Sequence, residues 1–226
     1  MASAPTPFQD LVCIGTAGDI FMCDEFGSWI DFGMLGGWPL AMVGTDPQGN
    51  LYGVGLDGFM DFWNPGAKGW TNSHAGGGGG YSAPSGWNNG IVQFLYGPNG
   101  TMWVVSPSGQ IGMATPEAEF ADQSAMDSWT VKMLVYDSFG TMWCVGTQGN
   151  IGQWYPTTNV WSDYTMAFGN WSFNGLFYDR QGISWGIGTE GNVGQTLGVW
   201  TDHGLLGGKQ MRWLYWPVPG SFPLPA

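Results

Sequence analysis

Charge is scarce in this chain of 226 residues: only 10% are Asp, Glu, Lys or Arg, with five basic groups against seventeen acidic ones. A net charge of −12, with Lys68, Lys132, Arg180, Lys209 and Arg212 dispersed along the sequence, argues against a surface that tracks a phosphate backbone, so no nucleic-acid partner is expected. Cysteine is scarce as well. Cys13, Cys23 and Cys144 are odd in number and lack metal-ligand spacing, which argues against a disulfide framework or a zinc site and for reduced thiols. No uncharged apolar run approaches the roughly 18 residues of a membrane span, and "MASAPTPFQD" has no basic stretch followed by an apolar one. The expectation is a protein without membrane insertion, cytoplasmic or secreted without a signal peptide. The two histidines, His74 and His203, stand apart from any Ser or Cys motif, so a nucleophilic triad has no support.

What the chain does contain is glycine, proline and tryptophan, with 40, 14 and 15 residues respectively. That composition disfavours long amphipathic helices and favours short strands joined by tight turns, giving an all-β fold class. Aromatic residues make up 16% of the chain, enough apolar area to offset the entropy of ordering a glycine-rich polymer.

The strands are organised by a repeat. "DPQGNLYGVGLDGFMDFW" from Asp46, "GPNGTMWVVSPSGQIGMA" from Gly97, "DSFGTMWCVGTQGNIGQW" from Asp137 and "DRQGISWGIGTEGNVGQT" from Asp179 share one pattern. In each, a turn glycine is followed nine residues later by a second: Gly49 and Gly58, Gly100 and Gly109, Gly140 and Gly149, Gly182 and Gly191. "DLVCIGTAGDIFMC" is a partial fifth copy, with Gly18 at the second position. The intervals from Gly18 through Gly58, Gly109 and Gly149 to Gly191 are 40, 51, 40 and 42 residues, the long one holding "HAGGGGGYSAPSG". Such a period fits four short strands with their turns. The carboxy-terminal "MRWLYWPVPG" resembles the strand that precedes each first glycine, whereas the amino terminus opens on the strand that should follow it. One repeat is therefore split between the termini, as a closed ring requires and a capped solenoid does not. Residues 1–226 read as one β-propeller domain of five repeats of about 40–50 residues, each an antiparallel four-stranded blade, with six blades as the alternative.

A second motif recurs about eleven residues after the second glycine. It is an aromatic-x-Asp/Asn triplet, found at Trp29 to Asp31, Trp70 to Asn72, Phe120 to Asp122, Trp161 to Asp163 and Trp200 to Asp202. Beyond it a tryptophan precedes the next strand at Trp38, Trp129 and Trp171, later at Trp87, and not at all in "GGKQ". One reading makes the triplet aromatic a constant filler between blades and its carboxylate a turn cap. The other makes the carboxylate or amide and the loop tryptophan the walls of a shallow sugar pocket, the indole stacking on the pyranose C–H face while the polar group fixes hydroxyls.

"SGWNNGIVQFLYGPNGTMWVV" (Ser85 to Val105) resembles the signature of the tachylectin-type five-bladed propeller lectins, echoed in "GGWPLAMVGTDPQGNLYGV" and "GNWSFNGLFYDRQGISWGI". "VGTQGNI" is similar to the short cores of fungal tectonins. The resemblance implies a carbohydrate-binding ring with one site per blade, taking glycans with N-acetylated or O-methylated sugars. By it Trp87, Asn88 and Asn89 match the motif directly, Trp38, Trp129 and Trp171 match its tryptophan, and Asn170 precedes the last of these. The tachylectin Asp-Asn-Trp element is not present as such. With the triplet residues the candidate carbohydrate site comprises Asp31, Trp38, Asn72, Trp87, Asn88, Asn89, Asp122, Trp129, Asp163, Asn170, Trp171 and Asp202.

An enzyme is not expected, because a catalytic carboxylate pair should appear once rather than once per repeat. Glu117, Glu119, Asp122 and Asp127 form one acidic cluster that reads as a solvated insertion. No cofactor or metal is implied, and a homo-oligomer is compatible with the reading. The alternative function is a propeller scaffold for protein–protein interaction without sugar binding, which would present unique anchors on one face.

Overall fold

The computed structural model describes residues 11–24, 28–71, 90–114, 121–123, 129–168, 171–196 and 200–217. Strand follows strand along the chain. The first seven are β1 (Val12–Gly15), β2 (Ile20–Cys23), β3 (Trp29–Gly33), β4 (Leu40–Thr45), β5 (Leu51–Gly55), β6 (Met60–Asn64) and β7 (Gly69–Trp70). Next come β8 (Gln93–Tyr96), β9 (Met102–Val105), β10 (Ile111–Ala114), β11 (Ala121–Asp122), β12 (Val131–Tyr136), β13 (Met142–Gly146), β14 (Ile151–Tyr155) and β15 (Val160–Asp163). The last are β16 (Phe173–Tyr178), β17 (Ser184–Gly188), β18 (Val193–Thr196), β19 (Trp200–Gly204) and β20 (Met211–Tyr215). The only helical pieces among the described residues are single 3-10 turns at Leu35–Gly37, Thr165–Phe168 and Leu206–Gly208.

These strands form five antiparallel sheets of four, which settles the blade number against six. Blade 1 is β20-β1-β2-β3, and blades 2 to 5 are β4 to β7, β8 to β11, β12 to β15 and β16 to β19. Blade 1 closes the ring as the split repeat requires: β20 lies antiparallel to β1, with Val12 opposite Tyr215, Cys13 opposite Leu214 and Ile14 opposite Trp213. The strands β4, β8, β12, β16 and β20 are innermost and face one another across the ring axis. The aromatic column of the repeat is core, with Trp185, Tyr52 and Trp103 at 0%, 3% and 8% exposure and Trp143 half-buried.

The paired glycines have two distinct jobs. All nine carry φ between 74° and 87°, a conformation that costs an L-residue roughly 1–2 kcal/mol. The first glycine closes a turn whose aspartate caps it: Asp46, Asp137 and Asp179 each accept two backbone N–H bonds through Oδ1. In two blades the same carboxylate also receives the strand indole, Trp143 Nε1 and Trp185 Nε1 each donating to Oδ2 at 3.0 Å. The second glycine links blades. Its N–H closes its own turn, while its carbonyl accepts an N–H at or just before the start of the next inner strand: Gly18 from Leu40, Gly58 from Ile91, Gly109 from Val131, Gly149 from Phe173 and Gly191 from Met211, at 2.9–3.1 Å.

That latch explains why glycine recurs there. A Cβ on Gly149 would stand 2.8 Å from the Phe173 amide nitrogen, so the strained φ and the backbone collision act together. Gly149→Ala is expected to lower stability by about 2–3 kcal/mol. Urea denaturation checks it, and a loss below about 0.5 kcal/mol would show that the linkage yields freely.

Innermost strands also lack a neighbour on the channel side, and side chains from the preceding blade cover their edges. Trp213 Nε1 of β20 donates to Val43 O of β4 at 2.9 Å. Phe94 of β8 receives the Tyr52 hydroxyl on its carbonyl at 3.1 Å and gives its N–H to Met42 Sδ at 3.3 Å. Gln93 makes the fullest version, its amide donating to Leu134 O at 2.6 Å and accepting Leu134 N–H at 2.7 Å.

Candidate functional site

Three connectors between blades lay their last tryptophan on the outer strands of the blade they lead into. Trp38 meets Trp70 at 5.1 Å between ring centroids, Trp129 meets Trp161 at 6.3 Å, and Trp171 meets Trp200 at 5.2 Å. The partner is thus the triplet aromatic that follows the connector in sequence. Blade 1 shows what replaces the missing tryptophan. Lys209, in "LGGKQM", occupies the place that Trp38 holds in "LGGWPL", lies 4.9 Å above the Phe21 ring, and sets Nζ 3.5 Å from Asp31 Oδ2. The variable position and the triplet carboxylate therefore face each other.

Three of the triplet carboxylates, Asp31, Asp163 and Asp202, are turn caps, as the first of the two readings has it. Asp31 Oδ1 accepts Gly33 N–H, Asp163 Oδ1 accepts Thr165 N–H and Asp202 Oδ1 accepts Gly204 N–H, each at 2.8 Å, and all three side chains are exposed. Capping uses one oxygen, so a second remains for another donor. In blade 5 that role falls to Asn192 Nδ2, 3.2 Å from Asp202 Oδ2.

The tryptophans differ in how far they are committed. Trp38 is 8% exposed and its indole donates to Asp57 Oδ2 at 3.0 Å, which closes this position. Trp129 and Trp171 are half-buried and keep part of their rings at the surface. Trp129 covers Gly152, opposite Asp163 in the β14–β15 ladder, so Trp129, Trp161 and Asp163 share one stretch of blade 4. Asn72, Trp87, Asn88, Asn89 and Asn170 lie outside the described residues, as does the side chain of Asp122, whose backbone forms β11. No reactive thiol is presented here: Cys13, Cys23 and Cys144 are buried, and burial pushes the Cys13 and Cys144 thiols up.

A second concavity lies on the axis, and Trp38, Trp129 and Trp171 do not line it. At one end the channel widens to about 540 Å³, bordered by the starts of the inner strands. The pairing of β4, β12, β16 and β20 with the next strand skips one residue each, a bulge that leaves Ala41, Lys132, Asn174 and Arg212 outside the ladder and on the channel wall. Basic residues that look dispersed in sequence thus converge, since Lys132 and Arg212 occupy the same place in two blades. Aligning the repeats exposes the signal: the column of Ala41, Val92, Lys132, Asn174 and Arg212 varies while the one before it holds only apolar residues.

Comparison with known proteins places the chain among propellers by shape. No family model and no curated protein matches it. Among solved structures, a streptogramin B lyase superposes with a TM-score of 0.50 at 14% identity, over 89% of this chain and 70% of that one. The extracellular domain of a hybrid two-component system from B. thetaiotaomicron gives 0.50 at 13%, over 86% and 30%. YCF48 bound to D1 peptide gives 0.48 at 14%, and this chain spans 63% of its length. At such identity the likeness shows the fold alone.

Proposed function

We propose that the protein is a lectin: a ring that binds small sugar determinants, N-acetylated or O-methylated, at several sites without making or breaking a bond. The observation that carries this reading is the repetition of one surface array in blades 4 and 5. There a half-buried connector indole, Trp129 or Trp171, stands beside a second tryptophan, with an exposed turn-capping carboxylate two residues along the strand. An indole face offers the apolar platform a pyranose needs; in blade 4 the Asp163 oxygen left over from capping accepts its hydroxyls, and in blade 5 Asp202 does so beside Asn192, which already donates to it. Blades 1 and 2 depart, with Lys209 and the closed Trp38, so the array is not equally open around the ring. The motif at Trp87, Asn88 and Asn89 extends the reading to blade 3.

One such shallow site is worth about 4 kcal/mol, on the order of millimolar, and two or three facing a glycan-coated surface gain a further factor of about a hundred through effective concentration. Trp171→Ala combined with Trp129→Ala is expected to abolish agglutination of glycan-bearing cells and lower glycan-array signals at least tenfold, while keeping a cooperative thermal transition. Unchanged binding by the folded double variant, or no binding of any sugar by the native protein, would overturn the proposal.

A further inference from the structure

The widened end of the channel has a chemistry of its own. We propose that it binds a small oxyanion, a phosphate or carboxylate group, between the Arg212 guanidinium and the Lys132 ammonium. This does not rest on the sugar-binding reading, since the two sites share no residue.

Three observations converge on it. A bulge at one position of the inner strand delivers both cations to the same cavity wall, from blades 1 and 4. Neither makes an ion pair among the described residues, although the chain holds seventeen acidic groups for five basic ones. Two unneutralised cations at one mouth, in a protein that has carboxylates to spare, repel each other and stabilise the fold little. A ligand anion is what their placement accommodates. The third observation is preparation. The Lys132 ammonium donates to Asn174 Oδ1, and Asn174 is itself fixed by Nδ2 donating to Gly188 O at 3.2 Å and Thr189 O at 3.3 Å. Lys132 is held toward the lumen before anything binds.

The electrostatics agree. Burial lowers the pKa of both groups, and the Arg212 charge lowers Lys132 further, so an anion arriving between them relieves a cost already present. Asp57 and Glu190 also border the cavity. Asp57 is engaged, Oδ2 with Trp38 Nε1 at 3.0 Å and Oδ1 with Phe59 N–H at 3.2 Å. Glu190 belongs to the β17–β18 turn. Arg212 supplies a planar fork suited to two oxygens of one group, and Lys132 a point charge for a third.

Calorimetric titration of the whole protein with inorganic phosphate and, separately, acetate, at low ionic strength and against matched potassium chloride, tests the proposal. Saturable binding on the order of millimolar or tighter is expected for at least one probe, and which one names the group. Lys132→Gln with Arg212→Gln should weaken it at least about tenfold, and so should Ala41→Glu, which places a carboxylate at the same position of blade 2 and spares both cations. Because these side chains face the lumen, thermal transitions should stay within a few degrees of the parent. Saturation of neither probe would overturn the proposal, as would equal binding by the folded double glutamine variant or by Ala41→Glu.

Discussion

Gln93→Leu is expected to lower the unfolding free energy by about 2–5 kcal/mol, more than any surface substitution in the chain. Gln93 is 2% exposed and Leu134 fully buried, so the two bonds between them are shielded from water. Leucine matches glutamine in size closely enough to keep the packing. What it removes is the partner of both Leu134 backbone groups, and a buried N–H and a buried C=O left unpaired cost about 1–3 kcal/mol each. The bond pair spans 41 residues and joins blade 3 to blade 4. Its loss should therefore open the ring between those blades before the blades themselves melt, with hydrogen exchange of the Leu134 amide rising first. Gln93→Glu separates hydrogen bonding from volume. The charged carboxylate offers no donor and is buried, so its folded pKa rises above the unfolded one. Stability of that variant is then greatest below the unfolded pKa and falls as pH rises through the folded one. A Gln93→Leu variant within about 0.5 kcal/mol of the parent would mean that water replaces the amide.

Much of this architecture can be read from the sequence because it is local. A glycine with φ near 80° is a single-residue requirement, and its recurrence at Gly18, Gly58, Gly109, Gly149 and Gly191 marks blade number and ring closure together. The aromatic column of Tyr52, Trp103, Trp143 and Trp185 is equally local, since period-two patterning fixes which side chains point inward. The clamp at Gln93 is not local. In sequence it is one polar residue in an apolar strand, and its partner is a backbone that carries no side-chain signature. Lys132 and Arg212 are hidden for a related reason: a bulge turns them out of the ladder, and alternation cannot announce where a ladder skips. The triplets were legible as motifs but not as pairs. Sequence proximity joins Asp163 to the Trp171 that follows it, whereas the ring contacts run from Trp171 forward to Trp200 and from Trp129 forward to Trp161. Connectors fold onto the blade they enter, because their last residues must begin its inner strand.

A chain ending at Lys209 should fail to form the ring, the largest effect expected of any change here. Removing β20 takes the inner strand from blade 1 and exposes the edge of β1, where Val12, Cys13 and Ile14 are 0% exposed. The lost strand carries Met211 and Leu214, each 2% exposed, and side chains of this kind contribute about 2–5 kcal/mol apiece. It also carries Trp213, which bonds Val43 O and packs on Phe177 at 5.0 Å, and Tyr215, whose hydroxyl bonds Thr45 Oγ1 at 3.1 Å. Blade 1 thereby loses its grip on blade 2 and blade 5 at once. The summed loss is comparable with the whole 5–15 kcal/mol by which a domain is stable, so a sloping rather than cooperative thermal transition is expected. Restoring the strand tests the mechanism rather than the damage. A synthetic peptide covering residues 210–217, added to the truncated chain, should recover near-ultraviolet dichroism, whereas a peptide with Leu214→Asp should not, since it would set a charge at a position 2% exposed. A truncated chain that unfolds cooperatively with unchanged dependence on urea would show that the four other blades hold the ring without its closure, and that the pairing of β20 with β1 is a consequence of the fold rather than a condition of it.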